Sequence, residues 1–239
     1  MFKFKRDSQY RTSNNERYLP LLAMLVISAQ LAAHVLGPRS ISMGDLVLPG
    51  GILSFPLTFF LWDIITEVYG FQRARQIIYY NVICQIFFAG ILYVSLQTTP
   101  DPKIIDAAGF TTILGSVPKI TFAVIIAIFL GDYANCYVLQ KLKVYTHKRH
   151  LWFRLIGATA IGEAITSIIW VSIFYWHTKI HPDLIKLIYS QYLFKIFFEI
   201  ILVPITYLVV AFLQNKDDFS PTKKYLNFDP KTLKITASK

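Results

Sequence analysis

Residues 54–75 read SFPLTFFLWDIITEVYGFQRAR. The segment opens as one of the most apolar runs in the chain, through Phe55, Leu57, Phe59, Phe60, Leu61 and Trp62. It then sets two carboxylates, Asp63 and Glu67, four residues apart, which on a helix places them on one face a turn apart. Gly70 follows, and Arg73 and Arg75 come just after. Pro56 lies inside the apolar part, where its missing N–H and its ring tend to kink a helix. A soluble helix would carry such charges on a wet face. Here the neighbours of Asp63 and Glu67 are mostly apolar, so the two acids fall at or inside the edge of an apolar slab. Carboxylates at membrane depth are costly and serve ion or substrate paths. The plainer reading is that both acids mark a helix end and pair with Arg73 or Arg75.

Composition extends this reading to the whole chain. Of 239 residues, 54% are hydrophobic and only 16% charged, against about a quarter charged in a soluble domain. The mean hydropathy is +0.47, and the apolar residues sit in long runs, the mark of an integral membrane protein. The net charge of +10 does not imply nucleic acid. Its basic residues fall in short segments between apolar runs, as membrane topology requires. Cys84 and Cys136 lie in apolar runs and read as reduced packing residues, too few for a metal site. The aromatic count, 19 Phe, 14 Tyr and 4 Trp, suits interface belts and stacking on a flat ligand.

Six spans are expected. Residues 1–18 are a polar, basic tail. An uncleaved first span runs over 19–36 and ends at Gly37-Pro38. The second, over 46–65, is opened by Pro49-Gly50-Gly51 and interrupted by Pro56, and interrupted backbone at membrane depth survives only against protein or a wet cavity. The third, 77–96, carries Asn81 and Gln85 on one face. An external loop over 97–117 leads to the fourth, 120–139, with Asp132 and Asn135 near its end. A basic loop over 140–150 precedes the fifth, 152–176. There Ala158, Gly162 and Thr166 form a small-residue stripe that admits a neighbouring helix, with Glu163 beside it. The sixth, 187–213, carries Gln191, Lys195 and Glu199 at successive four-residue steps. The polar tail from residue 214 is expected to be disordered. The chain thus reads as an all-α, six-helix transmembrane domain over 19–213 between two cytoplasmic tails. Two three-helix halves, about 19–97 and 118–213, would be related by inversion, although no residue-level repeat is visible. Orientation follows from Lys and Arg alone: with the N-terminus inside, 17 fall in inner segments and 5 in outer loops, and Arg154 and Lys195 lie within spans.

Each charged group at mid-helix costs roughly 2.5–3.5 kcal/mol on insertion scales. Asp63, Glu67, Asn81, Gln85, Asp132, Asn135 and Glu163 therefore form a candidate substrate-binding set, of which Asp63, Glu67, Asp132, Asn135 and Glu163 are expected to contribute to one cavity between the helices. Pro56, Gly70, Arg75, Arg154, Gly162, Lys195 and Glu199 are assigned structural or gating roles. Lys195 and Glu199 can meet as an i,i+4 pair, and Arg154 can snorkel to the cytoplasmic surface. Glu163 lies well inside its span with no partner within one turn. Carboxylates, amides and aromatics with few free cations suit a planar, polar, neutral or cationic solute rather than a phosphorylated one. No metal, nucleotide or other cofactor is expected, because no ligand cluster or nucleophile–base pair is visible.

The pattern F-P-L-T…D-I-I-T-E-V-Y-G-x-x-x-A-R resembles the queuosine precursor transporters, also called the vitamin uptake transporter (VUT) family. Phe55-Pro56-Leu57-Thr58, Asp63, Thr66-Glu67-Val68-Tyr69-Gly70 and Ala74-Arg75 carry the match. A second block resembles the same family through Gly131-Asp132-Tyr133-Ala134-Asn135, Lys141, Arg154, Gly157 and Gly162-Glu163. The resemblance implies import of a 7-deazaguanine base, namely queuine, 7-cyano-7-deazaguanine or 7-aminomethyl-7-deazaguanine, for queuosine salvage in tRNA modification. It implies a multi-pass protein of the bacterial inner membrane. The partners would be a planar heterocycle and the lipid bilayer, not nucleic acid, and an oligomer or an energising partner stays open. Two alternatives remain at this stage. One is the substrate-binding membrane subunit of a multi-component importer, since the chain has no Walker motif. The other is an intramembrane enzyme: Gly70-x-x-x-Ala74-Arg75 resembles a fragment of the phosphatidyl-alcohol transferases, but their downstream aspartates are missing, and neither H-E-x-x-H nor G-x-S-x-G occurs.

Overall fold

A computed structural model describes residues 16–37, 39–43, 46–99, 107–147, 149–175, 184–216, 226–229 and 234–237. Seven helices carry the fold: α1 (Leu19–Leu36), α2 (Phe55–Tyr69), α3 (Phe71–Gln97), α4 (Ala107–Leu114), α5 (Val117–Tyr145), α6 (Leu151–Tyr175) and α7 (Leu184–Lys216). All but α4 supply the six stretches long and apolar enough to cross a membrane. Even α1, with 18 residues, reaches about 27 Å at 1.5 Å per residue, close to a hydrocarbon core of about 30 Å. The protein is an all-α integral membrane protein.

Local sequence explains several boundaries. α1, α2 and α5 each begin with a proline in the first turn, where a missing N–H costs nothing because that turn has no partner for it. Pro56 therefore starts α2 and does not kink it. The second span accordingly differs from the 46–65 expected. Residues Leu46–Pro49 form strand β2, paired antiparallel with β1 (Ser40–Met43), and a 3-10 turn at Gly50–Leu53 delivers the chain to α2. The Pro/Gly break sits at the mouth of the bundle, and α2 continues four residues beyond the expected end. Gly70 joins α2 to α3 with φ +84°, a backbone state that side-chain-bearing residues avoid. The proline the sequence reading passed over, Pro204, lies inside α7.

Two further expectations need correction. The loop over 97–117 contains α4. The tail after 213 is not irregular throughout: α7 runs to Lys216, and β3 (Leu226–Asp229) pairs antiparallel with β4 (Lys234–Ala237). The N-terminal tail to residue 15, the loop section 100–106 and residue 176 of the fifth span lie outside the described residues.

α2 is the axial helix. In its span 71% of residues are buried, against 22% for those of α3 and α7. It touches α1, α3, α5 and α7, and every residue from Leu61 to Glu67 is buried, as expected for a helix enclosed on all sides. α3 and α7 instead turn large apolar side chains outward, among them Ile83, Phe87, Val94, Phe197 and Leu208. Those faces meet lipid.

α5 and α6 make the closest helix pair. At their crossing, a Cβ on Gly131 would overlap the Thr166 hydroxyl, and one on Gly162 would come within 2.8 Å of Asn135 Cβ. Gly162 thus does what the small-residue stripe predicted, with α5 as the neighbour. Two apolar clusters flank the middle of the bundle. One gathers Leu22, Val26, Trp62, Ile65, Phe71, Ile78 and Cys136, and the other Ile120, Val124, Ile128, Trp170 and Val171. Cys136 is a buried free thiol and Cys84 a half-buried one, in keeping with packing roles.

Candidate functional site

Between those clusters the bundle is polar. All seven candidate binding residues are buried: Asp63, Asn81, Gln85, Asp132, Asn135 and Glu163 are at most 1% exposed, and Glu67 is 6% exposed. They do not form one ring. They divide into four levels along the bundle.

At the end where α1 finishes, His34 Nδ1 lies 3.2 Å from Thr121 Oγ1. Beside it is a void of about 10 Å³ lined by Phe55, Ser167, Trp170, Gln191 and Lys195, among others. That space admits about one water. Lys195 Nζ donates to Glu163 Oε2 at 2.6 Å and to Ser167 Oγ at 3.5 Å, and it sits 4.7 Å from the centre of the Phe55 ring. The pairing of Lys195 with Glu199 expected from spacing does not form. Lys195 points across to α6, and this gives Glu163 the partner its own helix lacks.

The next level is an amide cluster. Gln30 Nε2 donates to Asp132 Oδ2 at 3.0 Å. Gln30 Oε1 accepts from Asn81 Nδ2 at 2.5 Å and from Gln85 Nε2 at 2.8 Å. The Trp62 indole lies beside the same carboxylate. Asn81 Oδ1, Gln85 Oε1 and Asp132 Oδ1 are buried acceptors with no hydrogen-bond partner among the described residues. A buried acceptor left unmet costs about 1–3 kcal/mol, and the residues of this cluster hold three. The sequence reading missed Gln30, the hub of this cluster. It also missed His34. Both lie on α1 four residues apart, the same spacing that had singled out Asn81 and Gln85.

Below it, Asn135 Nδ2 donates to Asp63 Oδ1 at 2.9 Å, and the Glu199 carboxyl of α7 meets that of Asp63. At the far end, Arg154 Nη1 and Nη2 donate to Glu67 Oε2 and Oε1 at 2.8 and 3.3 Å. Lys143 adds a third contact to Oε1 at 3.2 Å and a bond to the Glu67 carbonyl. Arg154 is 1% exposed, so it does not snorkel. Its bidentate fork is the geometry guanidinium groups favour on carboxylates. The pairing of Asp63 and Glu67 with Arg73 or Arg75 is not found either. Arg73 bonds Glu16 at 2.9 Å, and Arg75 lies 6.0 Å over the Phe71 ring, a structural role at the α2–α3 corner.

The arrangement offers a membrane-buried column of acceptors and donors, with two ion pairs and an amide–carboxylate cluster between them. Among the described residues no group of three or more His, Cys, Asp or Glu is placed to hold a metal ion. Such a column lets a polar solute exchange hydration for protein hydrogen bonds at mid-membrane, which is the task of a transporter.

Comparison with known proteins agrees. The chain is 20% identical over 190 residues to a Bacillus subtilis (strain 168) protein named "Probable queuosine precursor transporter", with 79% of this chain and 83% of the relative covered. No solved structure matches. Residues 49–209, from the mouth of α2 into α7, match the family described as "Putative vitamin uptake transporter", and with more than half of its length matched the chain belongs to that vitamin uptake transporter family.

Proposed function

We propose that the protein imports a queuosine precursor, a 7-deazaguanine base such as queuine, 7-cyano-7-deazaguanine or 7-aminomethyl-7-deazaguanine, across the bacterial inner membrane, with both termini in the cytoplasm. The observation that carries this reading is the buried amide–carboxylate cluster of Gln30, Asn81, Gln85 and Asp132. Its atoms with no hydrogen-bond partner among the described residues are three acceptors, Asn81 Oδ1, Gln85 Oε1 and Asp132 Oδ1, and one donor beside them, Trp62 Nε1. A guanine-type edge presents several N–H donors side by side, and Trp62 supplies a flat wall for a fused ring. A solute lacking those donors would leave three buried acceptors unmet, and such mismatches reject analogues strongly.

The other candidate residues flank this cluster. Glu163, held by Lys195, stands on the side of the His34 void. Asp63 and Asn135 stand on the other side, and Glu67, locked to Arg154 and Lys143, closes the cytoplasmic end. The excess of Lys and Arg in the segments assigned inside supports that orientation. Gln30, Asn81, Gln85 and Asp132 are at most 1% exposed, so the bundle described is a closed arrangement around them and loading requires the helices to part. The relative's printed name supports the substrate class. The test is uptake of each labelled base by cells that cannot make queuosine, with the chain as the sole carrier. Import of at least one base is expected. Transport of none, with normal membrane expression, would remove the reading.

A further inference from the structure

Counting charges in the buried core leaves three acids with no ion pair among the described residues: Asp132, held by the Gln30 amide, and Asp63 and Glu199. Glu163 is neutralised by Lys195, and Glu67 by Arg154 and Lys143. Asp63 and Glu199 have no ion pair among the described residues, although they are 0% and 1% exposed. They come from different helices, α2 and α7, yet their carboxyls meet. Asp63 Oδ2 and both Glu199 oxygens have no hydrogen-bond donor among the described residues. Two bare carboxylates in contact away from water repel with nothing to offset them. One proton removes the conflict: one carboxyl donates its O–H to the other, and a lone negative charge is spread over the pair. The donor amide of Asn135, 2.9 Å from Asp63 Oδ1, supports that shared charge and fixes the orientation of Asp63.

We propose that Asp63 and Glu199 form a proton-binding site that couples import to the proton gradient. The proton site stands on the geometry alone, and the coupling rests on the import reading given above. The pair bridges α2 and α7, so parting those helices separates the two carboxyls and releases the proton they share. A proton taken up from outside as the outward-facing site closes over a base then leaves to the cytoplasm when the site opens inward. One positive charge enters with each base, in addition to any charge the base itself carries. The titratable and charged groups facing the pair are Glu67 with Arg154 and Lys143 toward the cytoplasmic end, Glu163 with Lys195 toward the other, and Asp132 and the Cys136 thiol of α5. Every cation among them is already committed to another acid, which leaves the proton as the neutralising ion for Asp63 and Glu199.

Two measurements test this. The first needs no substrate. Infrared difference spectra between acid and alkaline pH, taken on purified Asp132→Asn protein so that this third buried acid is silent, are expected to contain a buried carboxyl C=O band, lost when either Glu199→Gln or Asp63→Asn is added. A band that persists in both combinations, or its absence from the Asp132→Asn parent, overturns the site. The second uses proteoliposomes and each of the three labelled bases. An acid-outside gradient is expected to drive accumulation that a protonophore collapses. The number of protons entering per base, read with an internal pH dye, is expected to fall to background in Glu199→Gln. Wild-type accumulation that ignores the pH gradient, or follows sodium instead, overturns the coupling. If the infrared band behaves as stated and no base moves, the substrate assignment fails and the proton site stands.

Discussion

Replacing Glu67 by Gln keeps the shape of the side chain and removes the charge on which Arg154 and Lys143 converge. Arg154 then loses its partner in a place it cannot leave. Its side chain is 2% exposed, and both its carboxylate contacts, at 2.8 and 3.3 Å, are to Glu67. Leaving one member of a buried pair unpaired costs about 3–5 kcal/mol. Lys143 adds much less, because its side chain is 17% exposed, it can turn toward the membrane edge, and it keeps the Glu67 carbonyl. The expected loss for Glu67→Gln is therefore about 3–5 kcal/mol, nearly all of it from the stranded guanidinium. Removing both charges in Glu67→Gln/Arg154→Gln relieves that strand, so the double variant is expected to lose less than the two single variants added together, by about 0.5–3 kcal/mol. Reversible unfolding in mixed micelles, run as a full double-mutant cycle, measures each corner. A Glu67→Gln variant within about 0.5 kcal/mol of wild type, or costs that simply add, would refute the argument that this cluster ties α2, α5 and α6 together at the cytoplasmic end.

Lys195→Met strands Glu163 in the same way, and its stability loss is expected to be rescued by adding Glu163→Gln but not by adding Glu199→Gln; thermal unfolding of the three variants decides between the two pairings. Asp132→Asn and Gln30→Leu alter the amide cluster at groups that touch no ion pair, and both are expected to lower base uptake at least about tenfold, the effect of some 1.4 kcal/mol, with normal membrane levels on a blot; wild-type uptake by both would move the substrate site elsewhere. Gly131→Val places a side chain where the Thr166 hydroxyl already lies, and overpacking of about 1–3 kcal/mol is expected as a lowered unfolding temperature. Reporter fusions at Asn15, Lys143 and Lys224 are expected to read cytoplasm, and those at Asp106 and His181 the outside; an external Lys143 would overturn the orientation.

The spans were legible because hydrocarbon thickness and hydropathy both act along the sequence. Leu19–Leu36 falls where its apolar run does, and the ends of α3, α5, α6 and α7 depart from expectation by a few residues. The second span was misplaced at its start because Pro56 reads alike as a kink or as a first-turn residue, and only the strand pairing of Leu46–Pro49 decides. Burial of the polar residues was also legible, since nothing else in an apolar run explains an acid. Their partners were not. Spacing within one helix proposed Lys195 with Glu199 and Asp63 with the nearby arginines. The pairs that form, Lys195 with Glu163 and Arg154 with Glu67, lie 32 and 87 residues apart in the chain. Gln30 escaped notice because a single amide on an apolar helix is a modest signal until two other amides and a carboxylate are found around it.

The glycine crossing of α5 and α6 bears on how such a bundle can move. Helices that touch backbone to backbone have no side-chain slack between them, so Asp132, Asn135, Arg154 and Glu163 ride together as cargo on one stiff plank. Their partners Gln30, Asp63, Glu67 and Lys195 belong to α1, α2 and α7. Every buried polar bond of the column that reaches α5 or α6 therefore crosses the same seam, from Lys195–Glu163 at one end to Arg154–Glu67 at the other. Sliding along that seam would break all of them in the same instant. Rocking about one end breaks them in turn, like teeth of a zip, and the bonds at the pivot hold while those at the mouth let go. The order of the levels along the bundle is thus also an order in time.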